Sequence, residues 1–160
     1  MQKVHPVLWF SDHAEEAAAF YTSLLPNSQI TNVARFAEGS PGTPGKAMSV
    51  SFELAGQEFT ALNGGPESHF TDAVSLYVDC ADQAEVDRLW DALTAGGEAS
   101  QCGWLTDRFG VSWQIIPSVL GELLGDADPE RSARVMHAML GMSKIDIDGL
   151  RRAWAADPAT

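Results

Sequence analysis

The sequence predicts an α+β protein made of two copies of one βαβββ module, with added C-terminal helices. Three observations predict it. Residues 4–10 and 74–78 read as strands. Each is followed by an aspartate with a glutamate three positions on, Asp12 with Glu15 and Asp82 with Glu85, a capping-box-like helix start. Each helix is then followed by further strand-like runs. The expected organisation is a paired domain over residues 1–117, with modules of about 1–65 and 66–117, and a helical extension over 118–160.

The first helix is expected over residues 12–25, with Ala17, Phe20, Tyr21, Leu24 and Leu25 on one face and Pro26 as its stop. A strand follows over 28–37. The segment 38–45, rich in glycine and proline, is either a binding loop or a hairpin tip. Residues 47–54 alternate, with Met48, Val50, Phe52 and Leu54 on one face and Ser49, Ser51 and Glu53 on the other. Gly56 turns the chain into a strand over 57–62, and Asn63-Gly64-Gly65-Pro66 breaks it. In the second half, residues 82–95 form a helix with Val86, Leu89, Trp90 and Leu93 on one stripe, stopped by Gly96-Gly97. Short strands are expected over 99–104, 104–108 and 111–116.

After Pro117 the pattern becomes helical. Residues 118–124 read as a turn or two of helix. Asp128-Pro129 opens a helix carrying Ser132, Val135, Met136, Met139 and Leu140, stopped by Gly141. Asp146 opens a last helix with Ile147, Leu150 and Trp154 on one stripe. These stripes must bury against the rest of the chain or a partner subunit.

The formal net charge of −12 repels phosphate backbones, so nucleic acid is not an expected partner. No apolar run reaches the roughly 20 residues a membrane helix needs, and no export signal precedes the first strand. Cys80 and Cys102 have neither metal-finger nor CxxC spacing. A cytoplasmic location with reduced thiols is the expectation. No P-loop, GxGxxG, HExxH or GxSxG is present.

Strand alternation sorts the side chains into two sets. One is nearly all apolar and belongs under the helices: Pro6, Leu8, Phe10, Met48, Val50, Phe52, Leu54, Val74, Leu76, Val78, Val111, Trp113 and Ile115. The other is mixed: His5, Val7, Trp9, Ser49, Ser51, Glu53, Phe59, Ala61, Asn63, Ala73, Ser75, Tyr77, Ser112, Gln114 and Ile116. A face that mixes aromatics, hydroxyls, an amide, a histidine and a carboxylate suits the wall of a small-molecule pocket. It also suits a face covered by a partner or by the C-terminal helices. His5, Glu53 and Gln114 are the candidate catalytic residues, as base, acid or substrate anchor. Trp9, Ser49, Ser51, Asn63, Ser75, Tyr77 and Ser112 are the candidate ligand contacts. Glu53 has a plain alternative as an ion-pair partner of Arg35 or Arg108. Cys102, beside Gly103-Trp104, is a weaker nucleophile candidate.

Leu8-Trp9-Phe10, Ala14-Glu15-Glu16-Ala17, Phe20-Tyr21, Pro26-Asn27-Ser28, Leu62-Asn63-Gly64-Gly65, Cys102-Gly103-Trp104, the run from Asp107 through Gln114 and Lys144-Ile145-Asp146 resemble the PhnB-like family. That family lies in the vicinal oxygen chelate superfamily, with glyoxalase I, bleomycin-resistance proteins and extradiol dioxygenases. The resemblance covers essentially the whole chain. It implies the glyoxalase-like fold, in which two βαβββ modules curl into a cup-shaped mixed sheet, usually in a homodimer. In metal-using members a divalent ion sits on ligands from the first and last strands of each module. Carried over, those positions are His5, Phe59, Ala73 and Gln114. Only His5 is a good ligand, and Gln114 is a weak one. Phe59 and Ala73 cannot ligate, so no cofactor is expected, and any metal would rest on His5 and Gln114. A one-residue shift would offer Glu58 but would break the alternation. Glu53 as a compensating ligand stays open.

The resemblance therefore implies a protein that binds a small molecule in its cup, with or without an enzymatic reaction. Alternatives are a non-catalytic, ligand-sequestering binder of the bleomycin-resistance kind, or a metal-dependent lyase or dioxygenase. The methyltransferase name common in this family is not expected to describe the chain, because no glycine-rich turn follows the first strand: Phe10 leads into Ser11-Asp12 and a helix.

Overall fold

The computed structural model describes residues 2–156. The chain divides into two compact units, residues 1–70 and 71–160. In the first, β1 (Val7–Phe10) leads into α1 (Ala14–Leu24), then β2 (Gln29–Arg35), β3 (Ala47–Leu54) and β4 (Gln57–Asn63). In the second, β5 (Leu76–Cys80) leads into α2 (Gln83–Thr94), then β6 (Glu98–Ala99), β7 (Trp104–Thr106) and β8 (Ser112–Pro117). The strand orders are β1-β4-β3-β2 and β5-β8-β7-β6. In each sheet the first strand lies parallel to the last, and the others pair antiparallel. The repeat seen in the sequence is thus a repeat of topology, and the fold is α+β.

The second helix starts as expected. Asp82 accepts a hydrogen bond from the Glu85 N–H, and the Glu85 carboxylate accepts from the Ala81 N–H. Val86, Leu89, Trp90 and Leu93 are buried beneath it, each worth about 2 kcal/mol of apolar transfer before entropy is counted. The first helix differs from its expectation. It begins at Ala14, after His13, and no side chain of its own first turn caps it. Asp12 and Glu15 are turned outward instead, to Lys46 and Arg35. The cap comes from the end of β4: the Ala14 N–H donates to Asn63 Oδ1 at 2.9 Å.

Strand β4 also corrects the sequence reading. Phe59 pairs with Phe52 across the sheet, and their rings stack with centroids 5.4 Å apart. Ala61 pairs with Val50 and is fully buried. Phe59, Ala61 and Asn63 therefore lie on the helix-covered face, and Glu58, Thr60 and Leu62 on the other. The reason is the two-residue turn Ala55-Gly56, which sets Leu54 opposite Gln57, so directly paired residues share a face. Ala55 takes φ 48° there. The turn is held by the preceding loop, with the Ala55 N–H donating to Ser28 Oγ and the Gly56 N–H to the Asn27 carbonyl. Three other core assignments fail at strand ends: Pro6, just before β1, is exposed, Met48 is 41% exposed, and Val74 is 70% exposed because β5 begins two residues after it.

Segment 38–45 is the connection of the β2–β3 hairpin. Its base is closed by Phe36 N–H to the Lys46 carbonyl and Gly45 N–H to the Phe36 carbonyl. In the C-terminal extension, α3 (Ser118–Leu124), α4 (Pro129–Leu140) and α5 (Ile147–Ala155) bury their stripes within the second unit. Ile116, Leu120, Val135, Ile145 and Leu150 form one buried cluster. Ile116, expected on the pocket face, is consumed by it. Helix α4 is rotated from the expected stripe: Val135 is inside, while Met136 and Leu140 are exposed. Among the described residues, no helix is long and apolar enough to cross a membrane.

Candidate functional site

Each unit has one sheet face that its module helix does not cover. On the first, Val7 pairs with Thr60 and Trp9 with Leu62, while Ser49, Ser51 and Glu53 continue the face on β3. His5, just before β1, places Nε2 3.2 Å from Thr60 Oγ1. Its Nδ1 is buried without a hydrogen-bond partner. Glu53 accepts from Gln29 Nε2 at 3.1 Å. Its expected partners lie elsewhere: Arg35 pairs with Glu15 at 2.8 Å and Arg108 stacks on Phe109. The Trp9 indole donates to the Gly65 carbonyl at 2.9 Å, and its ring lies where any side chain on Gly64 would go.

Asn63 does not belong to this face. Its Oδ1 caps α1, and its Nδ2 donates to the Ala47 carbonyl at 2.9 Å. Both ends of the amide serve the scaffold, which corrects its assignment as a ligand contact.

On the second unit, Tyr77 pairs with Gln114, Gln114 with Trp104, and Ser112 with Thr106. Directly paired residues share a face, so Tyr77, Gln114, Trp104, Thr106 and Ser112 form one wall. Gln114 Nε2 donates to Ser75 Oγ at 2.9 Å. Partial burial, then the neighbouring Asp79 carboxylate, push the Tyr77 phenol above its ordinary range, so it meets any ligand as a neutral hydroxyl. A cleft of about 430 Å³ opens on this side, lined by Asp72, Gln101, Cys102, Trp104, Thr106 and Ser112 among others. Its volume falls within the range of small-molecule pockets.

The hairpin that carries the cleft wall is pinned from its core side. The buried Asp107 carboxylate accepts from the Phe109 and Val111 N–H groups through Oδ1, at 2.8 and 3.0 Å, and from the Trp113 indole through Oδ2 at 2.9 Å. These bonds fold the β7–β8 hairpin that carries Thr106 and Ser112. At the other edge, Cys102 and Gly103 donate their N–H groups to the Met142 and Ser143 carbonyls, and the Ile115 N–H donates to the Gly103 carbonyl. Gly103 takes φ 83°, and a side chain there would press on Ile116 and Ile145. The C-terminal extension thus clamps the Cys102-Gly103-Trp104 corner.

Sequence reasoning named Ser75, Tyr77, Ser112 and Gln114 on this wall. It missed Trp104 and Thr106, because the short β7 strand has too few residues to show its phase, and Asp72 and Gln101, which lie in loops. His5, Glu53, Trp9, Ser49 and Ser51 share the open face of the first unit instead.

The donor set does not fit the divalent ion of metal-using vicinal oxygen chelate proteins. His5 faces Thr60 with one nitrogen and buries the other. Phe59 is in the core, and Ala73 offers no donor. Glu58, which does reach the open face, is bound by the Gln2 N–H. Gln114 is engaged with Ser75. Among the described residues, no three His, Cys, Asp or Glu side chains stand together as a metal site would require.

A family model described as 3-demethylubiquinone-9 3-methyltransferase matches residues 2–116. A PhnB protein from Bacillus cereus, named for the same methyltransferase, is 37% identical, with a TM-score of 0.69 over 72% of this chain and 99% of its own. Protein PA1353 from Pseudomonas aeruginosa is 23% identical, with a TM-score of 0.61 over 73% of this chain and 98% of its own. The fosfomycin resistance protein FosX from Listeria monocytogenes, solved with Mn(II) and sulfate, is 18% identical, with a TM-score of 0.49 over 71% and 90%. The comparison with curated proteins finds no match. The chain belongs to the PhnB-like family, whose model bears the 3-demethylubiquinone-9 3-methyltransferase name.

Proposed function

We propose that this protein binds a small organic molecule in the Trp104–Ser112 cleft of its second module, without a resident metal, and that it does so as a homodimer. The observation that carries the reading is the cleft itself: an indole wall and hydroxyls from two paired strands, on a hairpin held by the buried Asp107. Such a site suits a ligand with one flat apolar part and one or two hydrogen-bonding groups.

Binding without turnover is the favoured form. Of the three candidate catalytic residues, Glu53 is engaged by Gln29 and Gln114 by Ser75, and His5 spends Nε2 on Thr60 while its Nδ1 is buried without a partner. The methyl transfer in the family name has no support in the local structure: β1 ends at Phe10 and the chain enters a helix capped by Asn63, with no phosphate-cradling glycine turn.

A thermal-shift screen of neutral and cationic fragment-sized compounds tests the reading. Compounds that raise the melting temperature do so by binding the native state. Their effect is expected to vanish in Trp104→Ala and to persist in His5→Ala and Glu53→Ala. Persistence in Trp104→Ala with loss in the other two would move the site to the first module and overturn the proposal.

A further inference from the structure

The family match ends at residue 116, yet the cleft of the second module is held from beyond it. Its rim is the turn 100–103. Gln101 and Cys102 in this turn line the cleft, and so does Trp104 after it. Two successive residues of the turn take left-handed backbone, Cys102 at φ 58° and Gly103 at φ 83°. That conformation is costly for a residue with a Cβ. Their N–H groups donate outside the hairpin, to the Met142 and Ser143 carbonyls, both at 2.8 Å. The Ser143 hydroxyl donates to the Ser100 carbonyl. Without segment 142–143 the two N–H groups lose their acceptors, and Cys102 is free to leave the left-handed region.

Segment 142–147 is gripped from its other side by α2. Gln83, in the first turn of that helix, uses both ends of its amide. Its Nε2 donates to the Ile145 carbonyl at 3.0 Å and to Asp87 Oδ1 at 2.9 Å, and its Oε1 accepts from the Ile147 N–H at 2.8 Å. Lys144 pairs with Asp87 at 3.0 Å. Ile145, between these contacts, is fully buried. One amide side chain therefore fixes the backbone a few residues from the carbonyls that hold the rim. All of these groups belong to the second unit.

Resting on the ligand-binding reading of this cleft, we propose that Gln83 is a positioning residue for it, acting through segment 142–147 on the rim. Gln83 is not among the residues that line the cleft. When its bonds are lost, the segment loosens, Cys102 relaxes out of the left-handed region, and Gln101 and Trp104 move with it. The binding-competent fraction falls, and apparent affinity falls in proportion. The C-terminal extension thereby sets the affinity of a cleft that the family fold builds.

The test compares wild type with Gln83→Ala and with Gln83→Met, which keeps the side-chain length and loses the hydrogen bonds. Amide hydrogen exchange at Cys102 and Gly103 should speed up about tenfold in both variants. The Phe109 and Val111 amides, bonded to Asp107 at the far end of the same hairpin, should keep wild-type rates. Parallel acceleration of all four amides would mean a general loss of stability and overturns the positioning role. Binding is read with benzamide, a flat neutral amide, through the amide shifts of Thr106 and Ser112. Its dissociation constant should rise about fivefold in Gln83→Met. An unchanged constant there, or unchanged exchange at Cys102 and Gly103, overturns the positioning role and leaves the cleft reading standing. If neither benzamide nor any compound of the thermal-shift screen moves Thr106 or Ser112 in wild type, the cleft reading falls, and the positioning role falls with it.

Discussion

Replacing Asp107 with alanine is expected to cost about 3–5 kcal/mol of unfolding free energy, a large share of what a domain of this size holds. The carboxylate is 3% exposed and accepts hydrogen bonds from two backbone N–H groups of the β7–β8 turn and from the Trp113 indole. Alanine removes the carboxylate acceptor from the buried indole and frees the turn. Asn is the informative intermediate. Its oxygen keeps the two backbone bonds, but its amide nitrogen then faces the Trp113 N–H, donor against donor. The expected order of stability is wild type, then Asp107→Asn, then Asp107→Ala, read by urea unfolding followed through tryptophan fluorescence. Equal stability of the alanine variant and wild type would mean that the hairpin does not depend on this carboxylate.

The second large effect is expected at Asn63. Asn63→Ala removes the acceptor for the Ala14 N–H and the donor for the Ala47 carbonyl, at a cost of about 2 kcal/mol. Ala14 is fully buried, so water cannot take the place of the lost cap without opening the helix start. Asn63→Asp separates the two roles. It keeps a charged acceptor at the helix N-terminus, where the macrodipole favours it, but sets an oxygen against the Ala47 carbonyl. Its stability should fall between those of wild type and Asn63→Ala. Hydrogen exchange at Ala14 should speed up in the alanine variant and stay slow in the aspartate one.

Much of the fold was legible in the sequence, because the strand and helix patterns are local. The alternation of Ala47–Leu54 and the stripe of Val86, Leu89, Trp90 and Leu93 are properties of short segments, and they appear in place. What misled was phase and partner. In β4 both alternating sets contain an apolar residue, Phe59 in one and Leu62 in the other, so composition does not choose the face. The Ala55-Gly56 turn does choose it, once Leu54 is seen to pair with Gln57. At α1, Asp12 and Glu15 have the right spacing for a cap but are drawn to Lys46 and Arg35 by charge. The true cap lies 49 residues away in sequence.

The site was less legible than the scaffold for the same reason. Ser112, Gln114, Ser75 and Tyr77 lie on alternating strands and were found. Trp104 and Thr106 lie on a three-residue strand whose phase is set only by its pairing with β8. Asp72 and Gln101 come from loops and carry no periodic signal at all. Cys102 was visible as a residue, but its surroundings were not: the clamp on its backbone comes from Met142 and Ser143, in the C-terminal extension.

The proposed ligand site is the second module's cleft, with no metal required. Backbone amide shifts in a nitrogen-15 spectrum test it most directly, recorded in the presence of a chelator while a stabilising compound is added. The expected result is saturable change at Asp72, Gln101, Cys102, Trp104, Thr106 and Ser112, with His5, Ser51 and Glu53 unmoved. Change centred on His5 and Glu53, or change that appears only when a divalent ion replaces the chelator, would contradict it.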